Sequence, residues 1–382
     1  MVSTAPLARS HFAIAGHTAY LNHATICAPP RPVIDAVTSF LDDAGQRGGL
    51  GFMDRVDSVR PVRDDLASLV GGREEGIAFA ANTTTALTRI VDGLTWKPGD
   101  RVLIATHDFP STRLPVLALG RRGVTVDEVV SDPVAGGVPL DAWAHALDAA
   151  PTRMVVTTWV HSNRGHRTDL ADLAHICHQR RATLVADVIQ GLGVIPCDVE
   201  AWGVDAVVGG SHKWLLAPEG VGFSWTSDEL TDQIEVRADG WRWFGTDPTS
   251  SAYRRPPDDT ALRFEGGTLN GPGLAGLGAG AAMLLTAGPD AIWDHVQSLG
   301  DQLVEGVDRL GGRVLSDRSP GARSAIVCFD HRSASAASLV EGIGERGVAV
   351  SERDDAVRVS PHGWNTADDV DALLDAAAEL LA

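Results

Sequence analysis

The chain has 382 residues, is 44% hydrophobic, and carries a formal net charge of −18 with 32 lysines and arginines together. Dispersed basic residues in so acidic a chain argue against nucleic acid or an anionic membrane surface as partner, and the length fits one large domain with a smaller one. No apolar run reaches the roughly 20 residues of a membrane span, and a start bearing Arg9, His11 and His17 does not read as a secretory leader, so a cytoplasmic protein is expected.

In chain order, AYLNHATICAPP (19–30) reads as an extended entry stopped by prolines, and helical periodicity follows over 32–44. A Gly-rich loop is expected at 45–51 and an amphipathic helix over 56–70. Short apolar runs then alternate with helical segments, the pattern of an α/β fold whose large domain has a mostly parallel sheet covered by helices. The expected strands are Ile77–Ala80, 102–105, 124–129, Met154–Thr158, 183–186 and 204–208. From 222 to 258 the alternation gives way to a polar stretch holding Trp241, Trp243 and Phe244, read as long loops. A Gly-rich loop then leads into a helix within 264–285. Helical patterns at 291–310, 336–346 and 367–381, with strand-like pieces at 325–329, 348–350 and 357–359, describe a compact α+β unit. The division expected is a large domain of 17–283 and a small one made of 1–16 and 284–382.

Two patterns invite a wrong turn. Gly271, Gly273 and Gly276 spell GxGxxG, but no strand precedes them and no acidic residue stands where a ribose contact belongs. His175, Cys177 and His178 share one predicted helix, but their spacing does not put all three on one face, so no metal site is expected. Cys27, Cys177, Cys197 and Cys328 form no CxxC pair and read mostly as small core residues.

Chemistry gathers after the strands. Asn82, Thr83, Thr84 and Thr85 follow the first and open a helix; Asp108, Phe109, Pro110 and Ser111 follow the second. Trp159, His161, Ser162 and Asn163 follow the fourth, Asp187 and Gln190 close the fifth, and Ser211, His212 and Lys213 follow the last. Ligands of open parallel sheets bind at the carboxyl ends of strands, so these clusters converge on one site.

Lys213 gives that site its character, because the chain has only one other lysine, Lys97, in the turn-like TWKPGD. A chain that places its positive charge on arginine has a chemical reason to keep a lysine in the crowded GGSHKWLL: a desolvated amine loses its proton readily and attacks a carbonyl carbon, which guanidinium cannot do. A lysine of this kind, a carboxylate for a ring nitrogen, an aromatic and a phosphate cradle describe a pyridoxal phosphate site. Asp187 pairs with the pyridinium nitrogen in this reading, Gln190 meets the phenolate oxygen and Phe109 stacks on the ring. Thr83 and Thr84 at a helix start suit the phosphate, with Ser211 and His212 within reach of it.

From about residue 19 to 374 the chain resembles the class V aminotransferase family of fold-type I pyridoxal phosphate enzymes, which holds cysteine desulfurases, selenocysteine lyases and isopenicillin N epimerase-like proteins. The resemblance rests on YLNHATICAPP, ANTTTAL, HDFPS, ADVIQ, GSHKWLLAPEGVGF, FEGGTLN and VRVSPHGWNT, in that order. It implies Lys213 as the Schiff-base lysine, Asp187 as the pyridinium partner and Phe109 as the stacking residue. Thr268 is implied to reach the phosphate of a neighbouring subunit in a homodimer with composite sites, and Arg358 to hold the carboxylate of an amino-acid substrate through its planar fork. Asn22, Thr25 and Trp159 are placed on the substrate side, and a contact to the cofactor falls to Ser162 or Asn163. The chain departs from desulfurases in having no cysteine between Val350 and Val357 and in having Phe109 where they use a histidine. Those departures, with broad apolar walls from Trp159 and the tryptophan-rich loop, point toward lyases of the hercynylcysteine sulfoxide type. The expected reaction is carbon–sulfur β-elimination from an S-substituted cysteine or its sulfoxide. Transamination, epimerisation and decarboxylating deamination are the alternatives.

Overall fold

The computed structural model of the protein describes residues 5–132, 134, 136–236, 240 and 258–382. A two-residue strand, β1 (Ala19–Tyr20), precedes helices α1 (Arg31–Arg47), α2 (Phe52–Asp57) and α3 (Arg60–Val70). Strands and helices then alternate: β2 (Ile77–Ala80), α4 (Thr83–Gly93), β3 (Arg101–Ala105), α5 (Pro110–Leu117), β4 (Thr125–Val129), α6 (Leu140–Ala149), β5 (Met154–Thr158), α7 (Leu170–Gln179), β6 (Thr183–Asp187), α8 (Val199–Trp202) and β7 (Ala206–Gly210). After β8 (Gly222–Thr226) and α9 (Asp228–Gln233), two long helices, α10 (Gly271–Ala287) and α11 (Pro289–Arg309), lead to the last elements. These are β9 (Arg313–Val314), β10 (Val327–Asp330), α12 (Ala336–Glu345), β11 (Val348–Ala349), β12 (Ser351–Arg353), β13 (Ala356–Val359) and α13 (Ala367–Leu381).

Among the described residues, seven strands form the large sheet in the order β2-β8-β7-β6-β5-β3-β4. All run parallel except β8, which is antiparallel to both its neighbours. The expectation of loops from 222 onward is therefore corrected over its first residues: Gly222–Thr226 is a fully buried central strand and α9 follows it. Its Ser224 and Thr226 break the continuous apolar run by which a strand covered on both faces is usually read. Gly222 is needed there, because a β-carbon would stand 2.8 Å from the backbone of Asn82. The tryptophan-rich part of that stretch lies outside the described residues.

Two smaller differences have plain causes. Helix α1 runs on to Arg47 into a region expected as loop, and the helix expected over 56–70 divides at Ser58, where Pro61, lacking an N–H, opens α3. GxGxxG lies inside the first turns of α10, capped by the Asn270 side chain. On α7 Cys177 is buried, while His175 meets Gln179 and His178 meets Asp205.

Apolar side chains cover both faces of the sheet: one core lies against α3, α7 and α10, and the other against α4 and α5. A third core packs α11, α12 and α13 on the antiparallel sheet β12-β13-β10-β9. The entry segment ties the two units together, since β1 pairs with β11 and Asn22 bridges Ser360. Residues just after 17, expected with the large domain, thus ladder onto the small one. Among the described residues no helix is long and apolar enough to cross a membrane.

Candidate active site

The carboxyl ends of β2, β3, β5, β6 and β7 open into one cavity of about 780 Å³, to whose lining the β12–β13 hairpin adds Arg353 and Arg358. Its walls include Thr25, Thr83, Thr84, Phe109, Ser162, Asp187, Gln190, His212, Lys213 and Arg358, side chains from across the sequence that the topology brings together.

Each is held by local structure. Asn82 caps α4 by accepting from the Thr85 N–H at 2.9 Å, which leaves the first amides of that helix and its positive dipole end facing the cavity. Thr83 beside them is buried, and its hydroxyl has no protein partner among the described residues. A buried hydroxyl and free amides at a helix start form a place for an anion. Phe109, at the cap of α5, is 52% exposed, with the Lys213 Nζ 5.7 Å from its ring centre.

Asp187 ends β6 with its carboxylate fixed at both oxygens: Oδ1 accepts from the Ile189 N–H and Oδ2 from the Thr112 hydroxyl, each at 3.0 Å. Burial pushes its pKa up to about 6, opposed by these donors and by Lys213. For Lys213, burial is again the largest influence and pushes the amine down to about 8. Asp187 resists that shift, while the positive charges of Arg358 and Arg353 add to it. An anionic carboxylate that can hold a ring nitrogen protonated therefore faces an amine that sheds its proton easily.

The loop bearing Lys213 is anchored behind the cavity. The Trp214 indole donates to Gln190 Oε1 at 3.0 Å, and Gln190 donates onward to the Ala24 carbonyl at 3.0 Å. His362 Nδ1 accepts from the Gly363 N–H, so its Nε2 carries the proton given to the Trp214 carbonyl at 3.0 Å. Gly193 permits this packing: with φ +103, it sits where a β-carbon would meet the Trp214 carbonyl oxygen at 2.3 Å.

Arg358, 1% exposed, donates from Nε to Ser351 Oγ at 3.2 Å, from Nη1 to the Ser162 carbonyl at 2.7 Å and from Nη2 to Thr25 Oγ1 at 2.6 Å. Thr25 passes its own proton to Asn22 Oδ1 at 2.8 Å. Among the described residues no carboxylate pairs with this guanidinium, whose pKa burial lowers to about 10. A buried cation with free N–H groups in a cavity calls for an anion.

Several expected placements need correction. Trp159 lines no part of the cavity: it packs in the core with its ring centre 4.8 Å from that of Trp202. Thr158, one residue earlier, takes the cavity face instead, as the alternation of a strand requires. Ser211 is turned inward onto the carbonyls of Pro218 and Val221. Asn22 stays behind Thr25, and Gln190, although on the wall, is engaged at both ends of its amide. Thr268, expected at a neighbouring subunit's phosphate and not in its own cavity, needs no such correction: it is exposed and lines a separate cleft with Arg89 and Asn270. Of the pair left open, Ser162 gives its hydroxyl proton to Asn163 Oδ1, and both line the cavity. Sequence reasoning missed Thr112 and Arg353. Thr112 carries no signal, being 75 positions from the carboxylate it fixes, whereas Arg353 stands on the strand piece just before Arg358.

The family model described as aminotransferase class-V matches residues 19–373. The chain is 27% identical to a probable cysteine desulfurase of Methanothermobacter thermautotrophicus, over 98% of this chain and 96% of that one. It is also 27% identical to a probable hercynylcysteine sulfoxide lyase of Mycobacterium tuberculosis, over 90% and 85%. The cystine C-S lyase C-DES, solved with its product cysteine persulfide, shares the fold with a TM-score of 0.88 at 22% identity, covering 96% of this chain and 99% of that one. A match that begins in the entry segment and ends within the last helix takes in both sheets, and the chain belongs to the aminotransferase class-V family, pyridoxal phosphate enzymes of fold type I.

Proposed function

We propose that the protein is a carbon–sulfur lyase that performs β-elimination on an S-substituted cysteine or its sulfoxide. The residues present fit pyridoxal phosphate: the α4 start with the unpartnered Thr83 hydroxyl suits its phosphate, Asp187 its ring nitrogen, Phe109 its ring face and Lys213 its aldehyde carbon. When bound, the cofactor withdraws electrons from the α-carbon of an amino acid joined to it. The protein's own residues direct the bond changes. Arg358 holds the substrate carboxylate. Lys213, freed as a neutral amine, takes the α-proton. The Cβ–S bond then breaks with its electron pair leaving on sulfur, which takes up a proton as a thiol or sulfenic acid. The three-carbon enamine is hydrolysed by water to pyruvate and ammonia.

One observation carries this reading: among the described residues no thiol reaches the cavity. Cys27 is buried, donates to the Ala217 carbonyl, and is pushed by burial up to about 12. Cys328 donates to the Asn163 carbonyl and is pushed up to about 11, and Cys177 and Cys197 line no part of the site. Neutral thiols aimed at carbonyls do not accept sulfur from a substrate. Elimination needs no second nucleophile. The relatives named cysteine desulfurase make desulfuration the second reading, and the experiment separates them. A cysteine S-conjugate and its sulfoxide, incubated without keto acid, are expected to yield pyruvate and ammonia in equal amounts. Alanine from free cysteine, aldehyde with carbon dioxide, or turnover only after a keto acid is added would each defeat elimination.

We further infer a homodimer with composite sites. Thr268 is exposed and is not among the residues lining its own chain's cavity, and Ile34, Leu41, Leu50 and Met53 expose large apolar side chains on and just after α1. Sedimentation velocity on active protein is expected to give twice the chain mass. A fully active monomer would remove this inference.

A further inference from the structure

The β12–β13 hairpin presents two guanidinium groups to the cavity, and only one has been given a task. In its register Ser351 lies opposite Arg358, and Arg353 opposite Ala356. Side chains of opposed residues share a face, so Arg353 and Arg358 project from the same side as diagonal neighbours, a spacing of about 7–8 Å. Ala356, with only a methyl group, leaves room beside Arg353. Both arginines line the cavity that holds Lys213.

Arg353 is half-buried, and its one side-chain hydrogen bond among the described residues is to the carbonyl of the adjacent Glu352 at 2.7 Å. No carboxylate among the described residues pairs with it. The hairpin that carries it is firmly placed. Asp354 and Asp355 turn with φ of 48° and 58°, Arg164 donates to the carbonyls of Arg353 and Asp354, and Asn163 donates to the Asp354 carboxylate. Its charge is felt across the cavity, since it disfavours protonation of both Lys213 and Arg358. In a chain of net charge −18, this cavity collects Lys213, Arg353 and Arg358 against, among the described residues, the one carboxylate of Asp187, whose two oxygens are already engaged.

We propose that Arg353 is a specificity-determining residue that selects cysteine S-conjugates bearing an anionic group on the sulfur substituent. This rests on the lyase reading above and names its substrate class. With the α-carboxylate on Arg358 and the phosphate at the start of α4, the unpaired guanidinium on the neighbouring position faces the distal part of the substrate. A carboxylate there meets a fork held in place by the braced hairpin, whereas a neutral amide of the same shape leaves the cation unsatisfied.

The test compares S-carboxymethylcysteine with S-carbamoylmethylcysteine, which differ by one charge, on the loaded enzyme. The ratio of their kcat/KM values is expected to favour the acid by roughly ten- to hundredfold, the range of a charge-assisted hydrogen bond. It should fall to near one in Arg353→Gln and recover in part in Arg353→Lys. Equal rates in the parent enzyme, or a ratio that survives in Arg353→Gln, would overturn the proposal. A second arm does not need turnover. The holoenzyme's affinity for 2-aminohexanedioate, which has no sulfur to expel, is measured by calorimetry against that of its terminal amide, in the parent and in Arg353→Gln. If neither conjugate is cleaved, the lyase reading fails while this arm still decides the role of Arg353: a preference for the diacid that vanishes in the variant supports it, and no preference overturns it.

Discussion

Lys213→Ala is expected to reduce turnover by at least about three orders of magnitude and to abolish the visible absorbance of the lysine-bound cofactor, while Lys97→Ala leaves both unchanged. The contrast comes from where the two amines sit. Lys97 is exposed in a turn, its N–H on the Asp100 side chain. Lys213 is 9% exposed among Asp187, Phe109 and two arginines, with its amine pushed down to about 8. Roughly one in ten such amines is neutral at pH 7, against roughly one in three thousand for a hydrated lysine. Capture of the cofactor by the apo-protein should therefore speed up about tenfold per pH unit below 8 and level off above it. Because Asp187 holds the Lys213 proton on, Asp187→Asn should move the levelling point to lower pH. Stopped-flow absorbance across pH reads both effects. A levelling point near that of free lysine would show that the Lys213 amine is not lowered by burial, and a visible band that survives in Lys213→Ala and disappears in Lys97→Ala would show that Lys213 does not carry the cofactor.

The site residues legible in the sequence obey one physical rule. Lys213, Asp187, Phe109 and Thr83 stand at or just beyond the ends of short apolar runs, and a parallel sheet gathers such ends at one edge. The misses have equally local causes. Trp159 and Thr158 are adjacent, so a reading off by one residue sends the wrong side chain to the cavity, because successive strand residues face opposite ways. Ser211 belongs to a cluster whose next two members line the site, and nothing in GGSHK shows that its hydroxyl turns back onto Pro218 and Val221. Strand β8 is hidden by Ser224 and Thr226. The fixing of Asp187 by Thr112, the relay from Arg358 through Thr25 to Asn22, and the anchoring of Trp214 by His362 join residues 75, 333 and 148 positions apart. Single-residue periodicity carries no information about such pairs.

Replacing Arg358 with lysine should lower kcat/KM for the amino-acid substrate by about a hundredfold or more, with the cofactor's absorbance unaltered. The reason lies in how many directions the guanidinium serves at once. Three N–H groups already go to Ser351, Ser162 and Thr25, and each terminal nitrogen keeps a second hydrogen for a carboxylate. An ammonium has three donors in all, so it either abandons the anchors or abandons the substrate. Thr25→Val removes one anchor and keeps the shape, so a smaller loss, on the order of tenfold, is expected there. Both changes should appear in KM more than in kcat if the interaction serves binding, because the carboxylate takes no part in bond breaking. Arg358→Gln, which is uncharged and avoids burying a lone ammonium, separates loss of the fork from any loss of fold, provided thermal unfolding of the variants is followed alongside. Kinetics unchanged in both Arg358→Lys and Arg358→Gln, with the melting transition intact, would take Arg358 out of substrate recognition and leave its unpaired buried charge to be explained by another ligand.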